Sequence, residues 1–96
     1  MLKRVEQQAG DRDEVEAALR ALLADVLAMA PARVAGFDGD TALFGALPEF
    51  DSMAVATFLT AFEELFHVVV EDDDVEADDF ATFGSLLAFA RRVADA

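Results

Sequence analysis

Residues 47–59 have the sequence LPEFDSMAVATFL, which divides into a loop that ends at Asp51 and a helix that begins at Ser52. The carboxylate of Asp51 suits the N-cap position, where it accepts hydrogen bonds from the free amides of the first turn. Ser52 then stands at the first helical position with its hydroxyl outward, beside the positive end of the helix dipole. The pattern therefore predicts a helix start at which a phosphate ester on the Ser52 hydroxyl is electrostatically favoured.

The predicted helix runs from Ser52 to about Phe66 or His67 and has two distinct faces. The apolar arc of its helical wheel contains Val55, Phe58, Leu59, Phe62, Leu65 and Phe66. The opposite arc contains Ser52, Ala56, Thr57, Thr60, Glu63, Glu64 and His67. Met53 also lies in this polar arc, and a large apolar side chain beside Ser52 indicates a contact surface.

The part of the chain before this helix is predicted to contain one helix and a long connection. The first helix spans about residues 13–28, because Asp13 and Glu16 have the spacing of a capping box and Pro31 cannot continue the amide ladder. Residues 1–10 show no periodicity and are expected to be a flexible lead-in to a single domain at residues 11–96. Residues 32–51 are irregular, and long ordered loops in small domains tend to be functional.

The apolar residues of this connection are expected to pin it across the helices, with a helical turn at residues 41–44. They are Phe37, Leu43, Phe44 and Leu47.

The last third is predicted to contain an extended segment at residues 68–70 and a short helical piece near residues 77–81. Thr82 then caps a final helix that ends near Ala94, where Arg91 and Arg92 suit the negative end of the helix dipole. The sequence therefore predicts an all-α bundle with three main helices, one short third helix and a long first loop.

Composition limits the classes of partner. The 96-residue chain has a formal net charge of −13 and no Lys or Arg between residues 34 and 90. This charge opposes binding to nucleic acid and to anionic membranes, and it favours partners with a basic patch. The chain has no cysteine, and its start lacks the apolar segment of a secretory signal, so a cytoplasmic monomer is expected.

The pattern predicts neither a catalytic nor a metal site. A nucleophilic Ser52 would need a base, and His67, the only histidine, lies about 22 Å away along the same helix. The acidic run at residues 71–79 does not fit an EF-hand, because frames that start at Asp72 or Asp74 lack the glycine and the glutamate that this loop requires. We therefore expect no enzymatic activity.

Four features in order resemble the acyl carrier protein family over about residues 13–94. An amphipathic first helix precedes a long loop with LF at residues 43–44 and DSM at residues 51–53, which is close to the Asp-Ser-Leu signature of that family. The next helix ends in FEELF at residues 62–66, and an acidic turn leads to Phe80 and TF at residues 82–83. The resemblance implies a four-helix bundle of the acyl-carrier type.

The resemblance also implies a function. Ser52, beside the helix cap Asp51, would receive 4′-phosphopantetheine from coenzyme A through a phosphopantetheinyl transferase. The thiol of this arm would hold acyl groups as thioesters for an acyl-loading ligase or acyltransferase and for downstream acyl-processing enzymes, so the protein would tether a reactive group rather than catalyse. The recognition face for partners with basic patches is expected to comprise Met53, Ala56, Thr57, Thr60, Glu63 and Glu64.

Two departures from the family pattern indicate a dedicated pathway rather than housekeeping fatty-acid synthesis. Ala54 and Thr57 are neutral where fatty-acid carriers are usually acidic, and Glu49 replaces a glycine often found three residues before the serine. Polyketide, nonribosomal peptide, lipid and exopolysaccharide-related pathways stay open. Residues 47–55 also resemble stand-alone carriers associated with bacterial exosortase systems.

Two hypotheses concern the cargo and the class of protein. A bundle interior filled with bulky rings would leave little room for a long acyl chain, unless the rings only compensate for the many alanines. The rings concerned are Phe58, Phe62, Phe66, Phe80, Phe83 and Phe89. The alternative to a carrier is a small acidic interaction domain with the same bundle and no prosthetic group.

Overall fold

The computed structural model describes the backbone of residues 2–94 and the side chains of residues 14–94. It contains four α-helices: α1 (Leu2–Val26), α2 (Pro31–Ala35), α3 (Ser52–Phe66) and α4 (Phe83–Ala94). Two 3-10 turns, Asp72–Asp74 and Ala77–Phe80, lie between α3 and α4. Over the described backbone, strand-like pairing is limited to one isolated bridge between Ala42 and Thr82. The prediction of an all-α bundle is confirmed.

The bounds of α3 and α4 agree with the prediction. At the end of α3, His67 adopts the left-handed conformation with a φ of 58°, and its amide donates a hydrogen bond to the carbonyl of Glu63. Before α4, the amide of Ser85 donates to the Thr82 hydroxyl, and the amide of Thr82 donates to the Ser85 hydroxyl, both at 3.1 Å. These reciprocal bonds satisfy free donors at the helix start, so the helix begins directly after Thr82.

The first half of the chain differs from the prediction. α1 begins at Leu2 rather than at Asp13, so Asp13 lies within the helix and is not its N-cap. The division into a flexible lead-in at residues 1–10 and a single domain at residues 11–96 stays a prediction. Pro31 opens the unpredicted helix α2, at a position where its missing amide would be free in any case.

The loop between α2 and α3 is attached to the start of α4, and the helical turn expected at residues 41–44 is absent. Instead, the amide of Leu43 donates to the carbonyl of Ala81 at 2.9 Å. The amide of Gly84 donates to the carbonyl oxygen of Gly39 at 3.0 Å, and a Cβ on Gly84 would lie only 2.7 Å from that oxygen. This close approach of two backbones requires glycine at position 84.

Arg20 fastens α1 to the same loop. Its Nη1 atom donates to the carbonyl of Val34 at 2.8 Å and to that of Phe37 at 3.1 Å. Its guanidinium lies 4.4 Å from the centre of the Phe83 ring. One cation therefore holds the end of α2 and the beginning of the loop against α1 and α4.

The core lies between α1, α3 and α4, and the loop contributes to it. Its buried apolar residues are Val15, Leu19, Leu22, Leu23, Leu27, Met29, Val34, Phe37, Leu43, Phe50, Phe58, Phe62, Phe80, Phe83, Leu86, Phe89 and Ala90. Two expectations fail here: Phe44, predicted as an anchor, is 44% exposed, and Leu65, predicted on the apolar arc, is 46% exposed. Phe50 is 1% exposed and anchors the loop in place of Phe44.

Candidate functional site

Asp51 and Ser52 form the start of α3. Asp51 has extended backbone angles, and its Oδ1 atom accepts a hydrogen bond from the amide of Ala54 at 2.9 Å. The carbonyl of Asp51 accepts from the amide of Val55 at 3.0 Å. Asp51 therefore occupies the N-cap position. Ser52 is the first residue of the helix, and it is exposed. A group on the Ser52 hydroxyl would face solvent beside the positive end of the helix dipole.

The core fixes the position of this helix start. Phe50, two residues before Ser52, is fully buried, and its ring contacts the rings of Phe58 and Phe80 edge-to-face at centroid distances of 6.4 and 5.8 Å. The amide of Phe50 donates to the carbonyl of Leu47 at 3.0 Å. Ser52 is thus an exposed residue on a rigid support, which suits a site of chemical attachment.

An ion pair holds the loop before the serine. Nη1 of Arg33, on α2, lies 2.8 Å from Oε2 of Glu49. A backbone hydrogen bond at Glu49 and the hydrogen bond from Arg33 hold the pKa of the Glu49 carboxyl below its ordinary value. Glu49 stands where the family resemblance implies a glycine, and its carboxylate links the loop to α2.

The predicted recognition face is not uniform. Met53 is 79% exposed, and Ala56, Thr57, Thr60 and Glu64 are also exposed. The last four, together with Ala61, line a shallow depression on the outer face of α3. The exposed surface of the first turns of α3 is therefore uncharged, and its first exposed carboxylate is that of Glu64.

Glu63 differs from Glu64, although both were predicted on the same face. The Glu63 side chain is half-buried, and its Oε2 atom accepts a hydrogen bond from the amide of Val70 at 2.7 Å. Its backbone carbonyl accepts from the amides of His67 and Val68. Glu63 thus holds the segment after α3, whereas the side chain of Glu64 is exposed to solvent.

A cleft lies beside Ser52, and the sequence pattern did not reveal it. This Ser52 cleft has a volume of about 290 Å³, and its walls are mostly apolar. Its lining residues are Phe44, Ser52, Val55, Leu59, Val75, Glu76, Ala77 and Phe80. One signal was present in the sequence: Val75 is the only large apolar residue within the acidic run at residues 71–79.

Side chains of the acidic run at residues 71–79 accept hydrogen bonds from the residues that precede the two 3-10 turns. The amide of Glu71 donates to Oδ2 of Asp74 at 3.0 Å, and the amide of Glu76 donates to Oδ2 of Asp79 at 2.8 Å. Among the residues whose side chains are described, no group of three or more His, Cys, Asp or Glu could hold a metal ion. Ser52 and His67 stand at opposite ends of α3, so this histidine is out of reach of the Ser52 hydroxyl.

Within residues 2–94, no helix is both long enough and apolar enough to cross a membrane.

Comparison with known proteins shows the family of this chain. The family model described as a phosphopantetheine attachment site matches residues 17–91. The solution NMR structure of the holo acyl carrier protein of Nitrosomonas europaea is 41% identical in sequence, with a TM-score of 0.70, and the match covers 81% of this chain and 92% of that one. No curated protein sequence matches this chain. The chain therefore belongs to the acyl carrier protein family, whose cofactor is a covalently attached 4′-phosphopantetheine.

Proposed function

We propose that Ser52 carries the 4′-phosphopantetheine arm and that the protein presents acyl thioesters to partner enzymes. The observation that carries this proposal is the exposed hydroxyl at the first position of α3, between the N-cap Asp51 and Met53 and within the family match at residues 17–91. When bound, the arm supplies a thiol that holds acyl groups as thioesters. The chain itself catalyses no step.

The residues around Ser52 suit the group. The N-terminal end of α3 favours the negative charge of a phosphodiester, and the Asp51 carboxylate is directed to the amide of Ala54. Phe50 keeps the helix start in place, so a tethered acyl group begins from a fixed point on the surface. Tethering raises the effective concentration of the acyl group at each partner enzyme.

The partners are a phosphopantetheinyl transferase, an acyl-loading ligase or acyltransferase, and downstream acyl-processing enzymes. We assign the recognition face to Met53, Ala56, Thr57, Thr60 and Glu64, with Glu63 in a supporting role because one of its oxygens is bound to Val70. Met53 would enter an apolar pocket of the partner, and Glu64 would face a basic residue. The net charge of −13 favours basic partner surfaces, and we expect the protein to act as a cytoplasmic monomer.

The pathway is a dedicated one rather than housekeeping fatty-acid synthesis. The exposed surface of the protein near Ser52 is neutral at Thr57, and the residue at position 49 is an ion-paired glutamate. Both features would favour partner enzymes that differ from those of carrier proteins with a strongly acidic α3. The likeness of residues 47–55 to exosortase-associated carriers supports a role of this dedicated kind.

Intact-mass measurement tests the attachment. The purified chain is incubated with coenzyme A and a broad-specificity phosphopantetheinyl transferase, and the same is done for Ser52→Ala and Ser85→Ala. Ser85 is the only other serine, so it is the matched control. We expect one added phosphopantetheine in the wild type and in Ser85→Ala, and none in Ser52→Ala. No gain with several transferases would favour the interaction-domain alternative.

A further inference from the structure

We propose that the Ser52 cleft shelters the acyl group and accepts only short, uncharged acyl groups, because Phe80 closes its inner end and Glu76 places a carboxylate at its rim. This inference rests on the proposed attachment at Ser52. Ser52 itself lines the cleft, so an arm on its hydroxyl begins at the rim and can fold back into the cleft.

The depth of the cleft is limited by aromatic rings. Phe80 lines the cleft and is only 4% exposed, and its ring lies 6.0 Å from that of Phe58 and 6.4 Å from that of Phe89. The Phe62 ring lies 5.8 Å from that of Phe58 and 5.5 Å from that of Phe89. Protein interiors are close-packed, so a chain that passed Phe80 would have to displace this ring cluster.

The size of the cleft fits a short group. Its volume of about 290 Å³ lies at the lower limit for pockets that enclose drug-sized ligands, and the cleft is open to solvent. The half-buried side chains of Val55, Leu59 and Val75 offer apolar contact to the first carbons of an acyl chain. The later carbons of a long chain would remain outside.

The charge at the rim selects against acyl groups that carry a carboxylate. Glu76 is exposed on the rim, and the depression next to it is lined by three further carboxylates and one guanidinium, that of Arg92. Arg92 is directed away from the cleft, because its Nη2 atom lies 3.7 Å from Asp79 and 3.3 Å from the carbonyl of Asp74. A carboxylate on the acyl group would lose hydration and meet like charge in this cleft.

The experiment compares butyryl, succinyl and dodecanoyl groups on the wild-type chain. Each is loaded from its coenzyme A thioester with a phosphopantetheinyl transferase, and intact mass confirms loading, so failure of the proposed attachment is detected before the cleft is tested. A ¹³C label on the last hydrogen-bearing carbon of each acyl group reports its neighbours by filtered NOE spectroscopy. We expect contacts from the butyryl methyl to Phe80 and Leu59, and none from the ends of the other two groups.

Hydroxylamine gives a second measurement, because its nitrogen attacks the thioester carbonyl, forms a hydroxamate and releases the free thiol of the arm. The rate of each thioester is divided by that of the same thioester on free coenzyme A, which removes differences in intrinsic reactivity. We expect the butyryl group to be protected about fourfold more than the succinyl group, since burial of one methylene corresponds to about fourfold in population. Three results would each overturn the proposal: equal protection of the two groups, buried contacts of the dodecanoyl methyl with Phe62 or Phe89, and contacts of the cleft with the pantetheine methyls alone.

Two variants test the assigned residues, each with a matched control. Phe80→Leu should let the methyl of a labelled octanoyl group contact Phe58, whereas Phe66→Leu, which removes a ring outside the cleft lining, should not. Glu76→Lys should slow cleavage of the succinyl thioester more than that of the butyryl thioester. Asp78→Lys, in the same segment and also exposed, should change neither. Identical effects of variant and control would contradict the role of the residue tested.

Discussion

The ring of Phe50 lies edge-to-face against the ring of Phe58, with 6.4 Å between centroids and an interplanar angle of 65°. Phe50 is the last buried residue of the loop, and Phe58 is the first buried residue of α3. Asp51 and Ser52 lie between them in the chain. The contact therefore fixes both sides of the helix start, and the exposed Ser52 has a defined place on the surface.

Truncation of this anchor should be costly. Phe50→Ala removes a ring that is 1% exposed, and we expect it to lower the free energy of unfolding by about 3–5 kcal/mol through lost burial and a residual cavity. Phe44→Ala is the control, because Phe44 lies near the same site and is 44% exposed. Urea unfolding followed by circular dichroism measures both. Equal losses in the two variants would contradict the anchoring role of Phe50.

The N-cap of α3 should contribute less to the free energy of unfolding than Phe50 does. Asp51→Ala removes the acceptor of the Ala54 amide, and we expect the free energy of unfolding to fall by about 0.5–2 kcal/mol. Asp51→Asn keeps an oxygen that can accept this bond, so it should retain most of the stability. The same urea titration compares the three proteins, and a loss in Asp51→Asn as large as in Asp51→Ala would show that the side-chain oxygen is not what stabilises the helix start.

Substitutions of Glu63 and of Glu64 should differ in their effect on the free energy of unfolding. Glu63→Ala removes the acceptor of the Val70 amide, and we expect a loss of about 1–3 kcal/mol because a charged hydrogen bond to a half-buried amide disappears. Glu64→Ala changes an exposed residue and should stay within about 0.5 kcal/mol of the wild type. Hydrogen exchange at the Val70 amide is the direct probe: it should become faster only in Glu63→Ala.

Met53 should matter to partners and not to stability. We expect Met53→Ala to lower kcat/KM of the phosphopantetheinyl transferase by about tenfold, because truncation of a central apolar contact commonly costs more than 1 kcal/mol. Val69→Ala truncates another exposed apolar side chain, beyond the far end of α3, and should leave the rate unchanged. Similar values of kcat/KM for the wild type and Met53→Ala would show that Met53 is not part of the recognition face.

Local patterns predicted the second half of the fold well. The Asp51 cap, the period of α3 and the polar pair Thr82 and Ser85 act within one helical turn, so the sequence contains the information directly. The start of α1 could not be found in this way. Residues with the spacing of a capping box at Asp13 and Glu16 lie inside a helix that begins at Leu2, and Glu16 pairs with Arg20 at 2.7 Å instead.

The path of the long loop and the Ser52 cleft depend on contacts between distant residues. The pairing of Gly39 with Gly84 and of Leu43 with Ala81 joins segments about forty residues apart. No periodic pattern in the sequence indicates such a long-range contact. The same pairing brings the loop alongside Phe80 and leaves Phe44 beside the cleft, where sequence spacing suggested an anchor in the core. Glu63 and Glu64 are neighbours of the same type, and only the fold distinguishes Glu63, which accepts a hydrogen bond from Val70, from the exposed Glu64.

The measurement that tests the central claim most directly is the location of the arm by fragmentation mass spectrometry. The chain is loaded from coenzyme A by a phosphopantetheinyl transferase, digested with a protease, and the modified peptide is sequenced. The account predicts a single phosphopantetheine on Ser52, in the peptide that contains Asp51 and Met53. An arm on Ser85 or on a threonine, or an unmodified Ser52 peptide after treatment with several active transferases, would contradict it.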